Sequence, residues 1–257
     1  MARTPEEIVR LLPADRGLLL FLDYDGTLVP FHDDPSRAVP GPELLALLNR
    51  LTTHPRRRVV IVSGRSADDL RRLLPGSACH LLALHGAQYV DPEGRCLDRV
   101  DLAPCRARLK TVAEGCRALL ASVPCVRIED KGAAIAIHMR SCDHESEERA
   151  TRIFEGFSRE VTDDGNLMIL RGSRVVELKP AAADKGSGAL WLLERFGPAW
   201  YPVYVGDDTT DEDGFRVLRD RGATIRVGPT DRRTLARWRL ADPAAVLELL
   251  ARIVSGS

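Results

Sequence analysis

Asp23, Asp25, Asp207 and Asp208 stand in two short acidic segments, DYDGT and GDDTTDEDGF, each at the end of an apolar run. Brought together, these carboxylates would concentrate negative charge, which is costly unless a cation neutralises it. Oxygen-only ligands favour a hard ion, and Mg²⁺ typically takes one or two carboxylates with water and substrate phosphate. An aspartate in such a site can attack phosphorus and form an aspartyl-phosphate. A second acid two residues on can give a proton to the leaving oxygen and later take one from water. The phosphoryl oxygens need donors and positive charge, which Mg²⁺, Ser63, a lysine and loop N–H groups can supply.

Each segment alone allows a plainer reading. DYDGT can be an acidic turn, SGR a turn with a helix cap, and GDDTTDEDGF a solvated helix start. Their positions join them. GLLLFLDYDGT, RRVVIVSGR and PVYVGDD all read as buried strands that end abruptly in polar residues. A parallel sheet would bring the three ends to one edge, where active sites of open α/β sheets form.

The intervening pattern supports such a sheet. Residues 42–51 have helical spacing with Pro42 in the first turn, and residues 66–74 read as a helix capped by Ser66. CHLLALHGAQYV reads as a third strand of this series. The rhythm changes near Pro104. A helix over 106–122, strands CVRIED and AAIAIHMR joined at Lys131-Gly132, a charged helix over 144–160 and a hairpin of NLMILRG and RVVELKP follow. The α/β alternation then returns, with helices over 185–196, 212–220 and 243–254 and the strand ATIRV. The expected architecture is an α/β, Rossmann-like parallel-sheet core, residues 1–103 and 180–257, with a smaller α+β cap domain at 104–179 inserted into it.

Lys+Arg and Asp+Glu both number 37, so nothing marks a phosphate-tracking nucleic-acid binder. The longest apolar runs, such as residues 18–22, are too short to span a bilayer, and the N-terminal segment does not read as a signal peptide. The six cysteines lack C-x-x-C spacing. They are expected to be reduced thiols in a cytoplasmic protein. The sequence fixes no oligomeric state and is compatible with a monomer.

LDYDGTL, VSGR, a downstream lysine and GDDTTDEDGF resemble the four motifs of the haloacid-dehalogenase-like phosphatase superfamily. The resemblance implies that Asp23 is the nucleophile and Asp25 the general acid/base. It implies that Asp23, the Asp25 backbone carbonyl and Asp207 hold Mg²⁺, with Asp208 and Asp211 in support. Ser63 matches the phosphate-binding hydroxyl, beside Gly64 and Arg65 as substrate contacts. Lys185, in a K-G pair opening a helix, is preferred as the motif lysine over Lys179, which reads as a solvated strand end.

The finer pattern resembles the trehalose-6-phosphate phosphatase family: DYDGTL, LHGA, E-D-K followed by a strand with H-x-R, VVELKP and GDDTTDE. This implies a small-molecule sugar phosphate as partner, bound by Glu129, Lys131, His138, Arg140 and Glu177. From the residues themselves, His138 and Arg140 at i, i+2 would share one sheet face. Carboxylates and basic donors there could bind sugar hydroxyls or form salt bridges on a solvated face. His85-Gly86 also fits the family pattern, but reads equally as a loop histidine in a tight turn. Competing functions are hydrolysis of sucrose 6-phosphate, a mannosyl-3-phosphoglycerate or another sugar phosphate, and a catalytically silent sugar-phosphate sensor.

Overall fold

The computed structural model describes residues 1–32, 34–229 and 233–256. The chain forms two units, one of Met1–Arg99 with Asp184–Ser257 and the other of Val100–Ala183. In chain order, the larger unit begins with α1 (Pro5–Leu11), β1 (Gly17–Asp23), α2 (Pro42–Thr53), β2 (Arg57–Val62), α3 (Ala67–Leu73), β3 (His80–Ala83), β4 (Gln88–Val90) and β5 (Cys96–Asp98). The smaller unit comprises α4 (Ala103–Leu120), β6 (Arg127–Asp130), β7 (Ile135–His138), α5 (His144–Thr162), β8 (Leu167–Gly172) and β9 (Val175–Pro180). The larger unit resumes with α6 (Lys185–Phe196), β10 (Trp200–Gly206), α7 (Asp211–Leu218), β11 (Ala223–Val227), β12 (Trp238–Leu240) and α8 (Pro243–Ser255).

The larger unit's sheet has the order β12-β11-β10-β1-β2-β3-β4-β5, and it is parallel from β12 through β3. Its central strand, β1, is apolar as far as Leu22 because both faces are covered. Leu20 and Leu22 pack with Leu44, Leu48 and Leu249 on one face, while Leu19 and Phe21 pack with Leu192 and Phe215 on the other. β1 lies between β10 and β2, so the strand order reverses direction there. The carboxyl ends of these three strands therefore share one edge, at a topological switch point.

CHLLALHGAQYV is not one strand. β3 stops at Ala83, and β4 turns back antiparallel to it. Leu84, His85 and Gly86 all have positive φ (50°, 54° and 86°), which no extended strand accommodates. Its alternation gave no sign of this reversal.

The smaller unit is an antiparallel sheet of order β6-β7-β9-β8. Ile135, Ile137 and Leu178 pack with Leu109 and Val112 of α4 and Phe154 of α5. The expectation of six free thiols is corrected here. Cys125 and Cys142 form a disulfide, with Cα atoms 5.1 Å apart, while Cys79, Cys96, Cys105 and Cys116 stay thiols. The pairing of Arg127 with His138 aligns β6 and β7, and so draws together the residues just outside their ends. Among the described residues, no helix is long and apolar enough to cross a membrane.

Candidate active site

Asp23 ends β1 and is 4% exposed. Lys185 opens α6, capped by Asp184, whose carboxylate accepts from the Ser187 N–H at 2.8 Å. The Lys185 Nζ donates to Asp23 Oδ1 at 2.6 Å and to Asp211 Oδ1 at 2.8 Å. Asp211, at the start of α7, is fully buried and also accepts from the Tyr204 hydroxyl at 3.0 Å and the Asp208 N–H at 3.0 Å. The lysine thus bridges two buried acids that would otherwise repel each other.

Asp207 follows β10, and its Oδ1 accepts from Thr27 Oγ1 at 3.1 Å. Each of Asp23, Asp207 and Asp211 offers a carboxylate oxygen, and these atoms lie within 4.8 Å of one another. Burial, reinforced by Asp211, holds the Asp23 carboxyl well above the usual range, against the pull of Lys185. The same two causes, in that order, push Asp207 up to about 6. Burial works against charge on Lys185, but Asp211 and Asp23 outweigh it and hold the ammonium above its ordinary value. An all-oxygen, anionic cluster with raised pKa values suits a hard divalent cation, which would favour the ionised carboxylates. Gly26 permits this packing: its φ is +85°, and a Cβ there would stand 2.4 Å from the Asp207 carboxylate.

Asp208 is not in the cluster. It is exposed, and its Oδ1 accepts from Thr209 Oγ1 at 3.3 Å. Asp211 supplies the third carboxylate where the sequence pointed first to Asp208. The Asp25 side chain is clasped by Arg65: Nε donates to Oδ2 at 2.7 Å and one terminal nitrogen donates to Oδ1 at 2.6 Å. Ser63 is 2% exposed, and its Oγ accepts from the Arg65 N–H at 3.2 Å. Gly64 packs so closely on His85 that a Cβ would lie 2.6 Å from the imidazole. His85 itself is buried, and its N–H donates to the Ser63 carbonyl at 2.9 Å.

Sequence reasoning missed Arg226. It is 3% exposed and donates to the Asp207 carbonyl at 2.6 Å and to Glu212 Oε1 at 2.8 Å, so it fixes the acidic loop from behind. A lone charge inside the apolar strand ATIRV was the available signal.

Within the smaller unit, Glu129 lies 2.7 Å from the His138 imidazole, and Lys131 donates to Glu177 at 2.9 Å. Burial pushes the Glu129 carboxyl up, but the hydrogen bond to His138 and the charge of Lys131 bring it below its usual value. The Lys131 and Glu177 side chains are only 7% and 8% exposed, so their pairing is not a solvated salt bridge. Arg140 departs from expectation. β7 ends at His138, and Arg140 sits in the following turn with its carbonyl accepting from Arg174. Lys179 is no solvated strand end either: it is buried and donates to the Ala183 carbonyl.

A family model described as trehalose-phosphatase matches residues 21–244, a span that contains every residue of the cluster. The chain belongs to the trehalose-phosphatase family. Among curated relatives, it is 39% identical over 238 residues to a bifunctional trehalose-6-phosphate synthase/phosphatase of Thermoproteus tenax, covering 91% of this chain and 32% of that protein. It is 33% identical over 266 residues to a trehalose 6-phosphate phosphatase of Zea mays, covering 95% of this chain and 72% of that one. The chain therefore spans about a third of the first relative's length. The solved C-terminal domain of the C. albicans trehalose-6-phosphate phosphatase superposes with a TM-score of 0.84 at 23% identity, covering 99% of this chain and 97% of that one, and this likeness shows the shared fold. A haloacid dehalogenase-like hydrolase of Bacteroides thetaiotaomicron superposes with a TM-score of 0.67 at 16% identity, covering 93% of this chain and 100% of that one, so the two share a fold.

Proposed function

We propose that this protein hydrolyses trehalose 6-phosphate to trehalose and phosphate through an aspartyl-phosphate. The observation that carries the reading is the buried Asp23–Lys185–Asp211 bridge beside Asp207, at the switch point of a chain in the trehalose-phosphatase family. A carboxylate oxygen of Asp23 bonds to phosphorus while the bond from phosphorus to the sugar oxygen breaks. Asp25 gives its proton to that departing oxygen. In the second half, water oxygen bonds to phosphorus, its proton passes to Asp25, and the bond to Asp23 breaks.

Lys185 and Ser63 offset the phosphoryl charge, and Lys185 also orients the attacking carboxylate. Asp23, Asp207 and the Asp25 backbone carbonyl, with Asp211 in support, would hold Mg²⁺, which would supply the remaining positive charge. Glu129, Lys131, His138 and Glu177 are assigned to the sugar hydroxyls, which a cytoplasmic sugar phosphate would present. The test is phosphate release from trehalose 6-phosphate beside glucose 6-phosphate and sucrose 6-phosphate, with Mg²⁺ and after chelation. The expected result is preference for trehalose 6-phosphate and abolition by EDTA, reversed by Mg²⁺. Full activity after rigorous chelation would sink the metal role, and equal turnover of all three sugars would sink the substrate assignment.

A further inference from the structure

Arg65 is 8% exposed, and its guanidinium ties its own loop to two other stretches of the larger unit, at Tyr24-Asp25 and at Pro35. It grips both oxygens of Asp25, donates to the Pro35 carbonyl at 2.8 Å, and lies 5.2 Å from the centroid of the Tyr24 ring. The Tyr24 hydroxyl in turn donates to the Ala38 carbonyl at 3.0 Å. A planar guanidinium matches a carboxylate in this two-point manner and fixes its plane, which a lysine ammonium does not do. The aromatic face beneath it restricts the cation further. Asp25 follows β1, beyond the strand's hydrogen-bond ladder, so the strand alone does not set its side-chain direction.

We propose that Arg65 is the positioning residue for Asp25, acting through that carboxylate and not through contact with the sugar phosphate. The inference rests on the assignment of Asp25 as the group that gives and takes the proton. Proton transfer by a placed side chain contributes roughly 10²–10⁴-fold to rate, and much of that depends on orientation. Loss of the clasp should therefore lower kcat by roughly ten- to hundredfold while KM stays within about threefold. Phosphorylation of Asp23 by an aryl phosphate needs little help at the leaving oxygen. A burst of released phenol should survive when steady turnover falls.

The test compares Arg65→Met, Arg65→Lys, Asp25→Asn and the double variant Arg65→Met/Asp25→Asn on trehalose 6-phosphate and on an aryl phosphate, with a thermal melt for each. The proposal expects kcat losses without KM losses, an intermediate Arg65→Lys, and a double variant no worse than Asp25→Asn alone. A raised KM with losses that multiply in the double variant would show Arg65 acting on the substrate, and would overturn it. An unimpaired Arg65→Met beside a dead Asp25→Asn would overturn this inference alone. Near-normal turnover by Asp25→Asn would take down both the inference and the assignment of Asp25. If Arg65→Met melts early, Arg65→Lys, which keeps the charge but not the two-point grip, carries the same kcat-against-KM comparison.

Discussion

The cluster around Lys185 makes the sharpest statements about single residues. Asp23→Asn removes the attacking oxygen's charge, and turnover of trehalose 6-phosphate should fall by at least about a thousandfold in a folded protein. Near-normal phosphate release by the verified variant would reject the aspartyl-phosphate. Lys185→Met should do more than lower rate. It leaves Asp23 and Asp211 buried side by side without their shared cation, a change that typically costs about 3–5 kcal/mol. Urea unfolding of that variant measures it, and wild-type stability would deny the bridge a structural role. His80 gives a pH test away from the site. It is buried against Phe196 and bonded to the Tyr89 hydroxyl at 2.8 Å. Burial, aided by Arg58, lowers it from 6.5 to about 4. The unfolded chain then binds a proton that the folded chain refuses, so stability is lost as pH falls from about 6.5 towards about 4. A shift of this size corresponds to about 3 kcal/mol. His80→Gln should flatten the fall in melting temperature across that window, and an unchanged slope would assign the acid sensitivity to other groups.

Among elements, the smaller unit is tied by a bond that the sequence did not reveal. The disulfide joins positions 17 residues apart at the outer ends of β6 and β7. Closing a loop of that length is worth about 3 kcal/mol in the chain-entropy account. Cys125→Ser with Cys142→Ser should lower stability by about 2–3 kcal/mol, and reductant should weaken the parent protein while leaving the variant unaffected. Equal response of both to reductant would place the effect elsewhere. The Lys131–Glu177 pair raises a separate issue for experiments on recognition. Truncating Glu177 takes away the acceptor of the buried Lys131 ammonium, so Glu177→Gln, which keeps a side-chain oxygen, is a better probe than alanine, as is Glu129→Gln beside His138.

For the whole molecule, the proposed division of labour predicts how two substrates separate. The phosphoryl group is common to trehalose 6-phosphate and a small aryl phosphate, and Asp23, Asp25, Ser63, Lys185 and Asp207 are the residues proposed to act on it. Sugar hydroxyls belong to one substrate only. Glu129→Gln, His138→Asn and Glu177→Gln should therefore cut kcat/KM for trehalose 6-phosphate about three- to hundredfold, at about 0.5–3 kcal/mol per lost hydrogen bond, and largely spare the aryl phosphate. Equal losses on both, with lowered melts, would reduce these side chains to a folding role. The sequence by itself determined the edge that carries the candidate site, because a strand buried on both faces must be apolar until it ends, and GLLLFL, VVIV and PVYVG each stop where polar residues begin. It also marked Lys185, since the K-G pair reads as the opening of a helix, and α6 starts there. Tertiary structure alone decided which side chains meet. Arg65 and Asp25 are 40 residues apart, and Lys185 and Asp23 are 162 apart. Asp211, not Asp208, joins the carboxylate cluster because the first turn of α7 directs it inward against Tyr204 and Lys185. Local pattern reports which face of an element is buried. The partner across that face is set by strand order and close packing, which no single segment encodes.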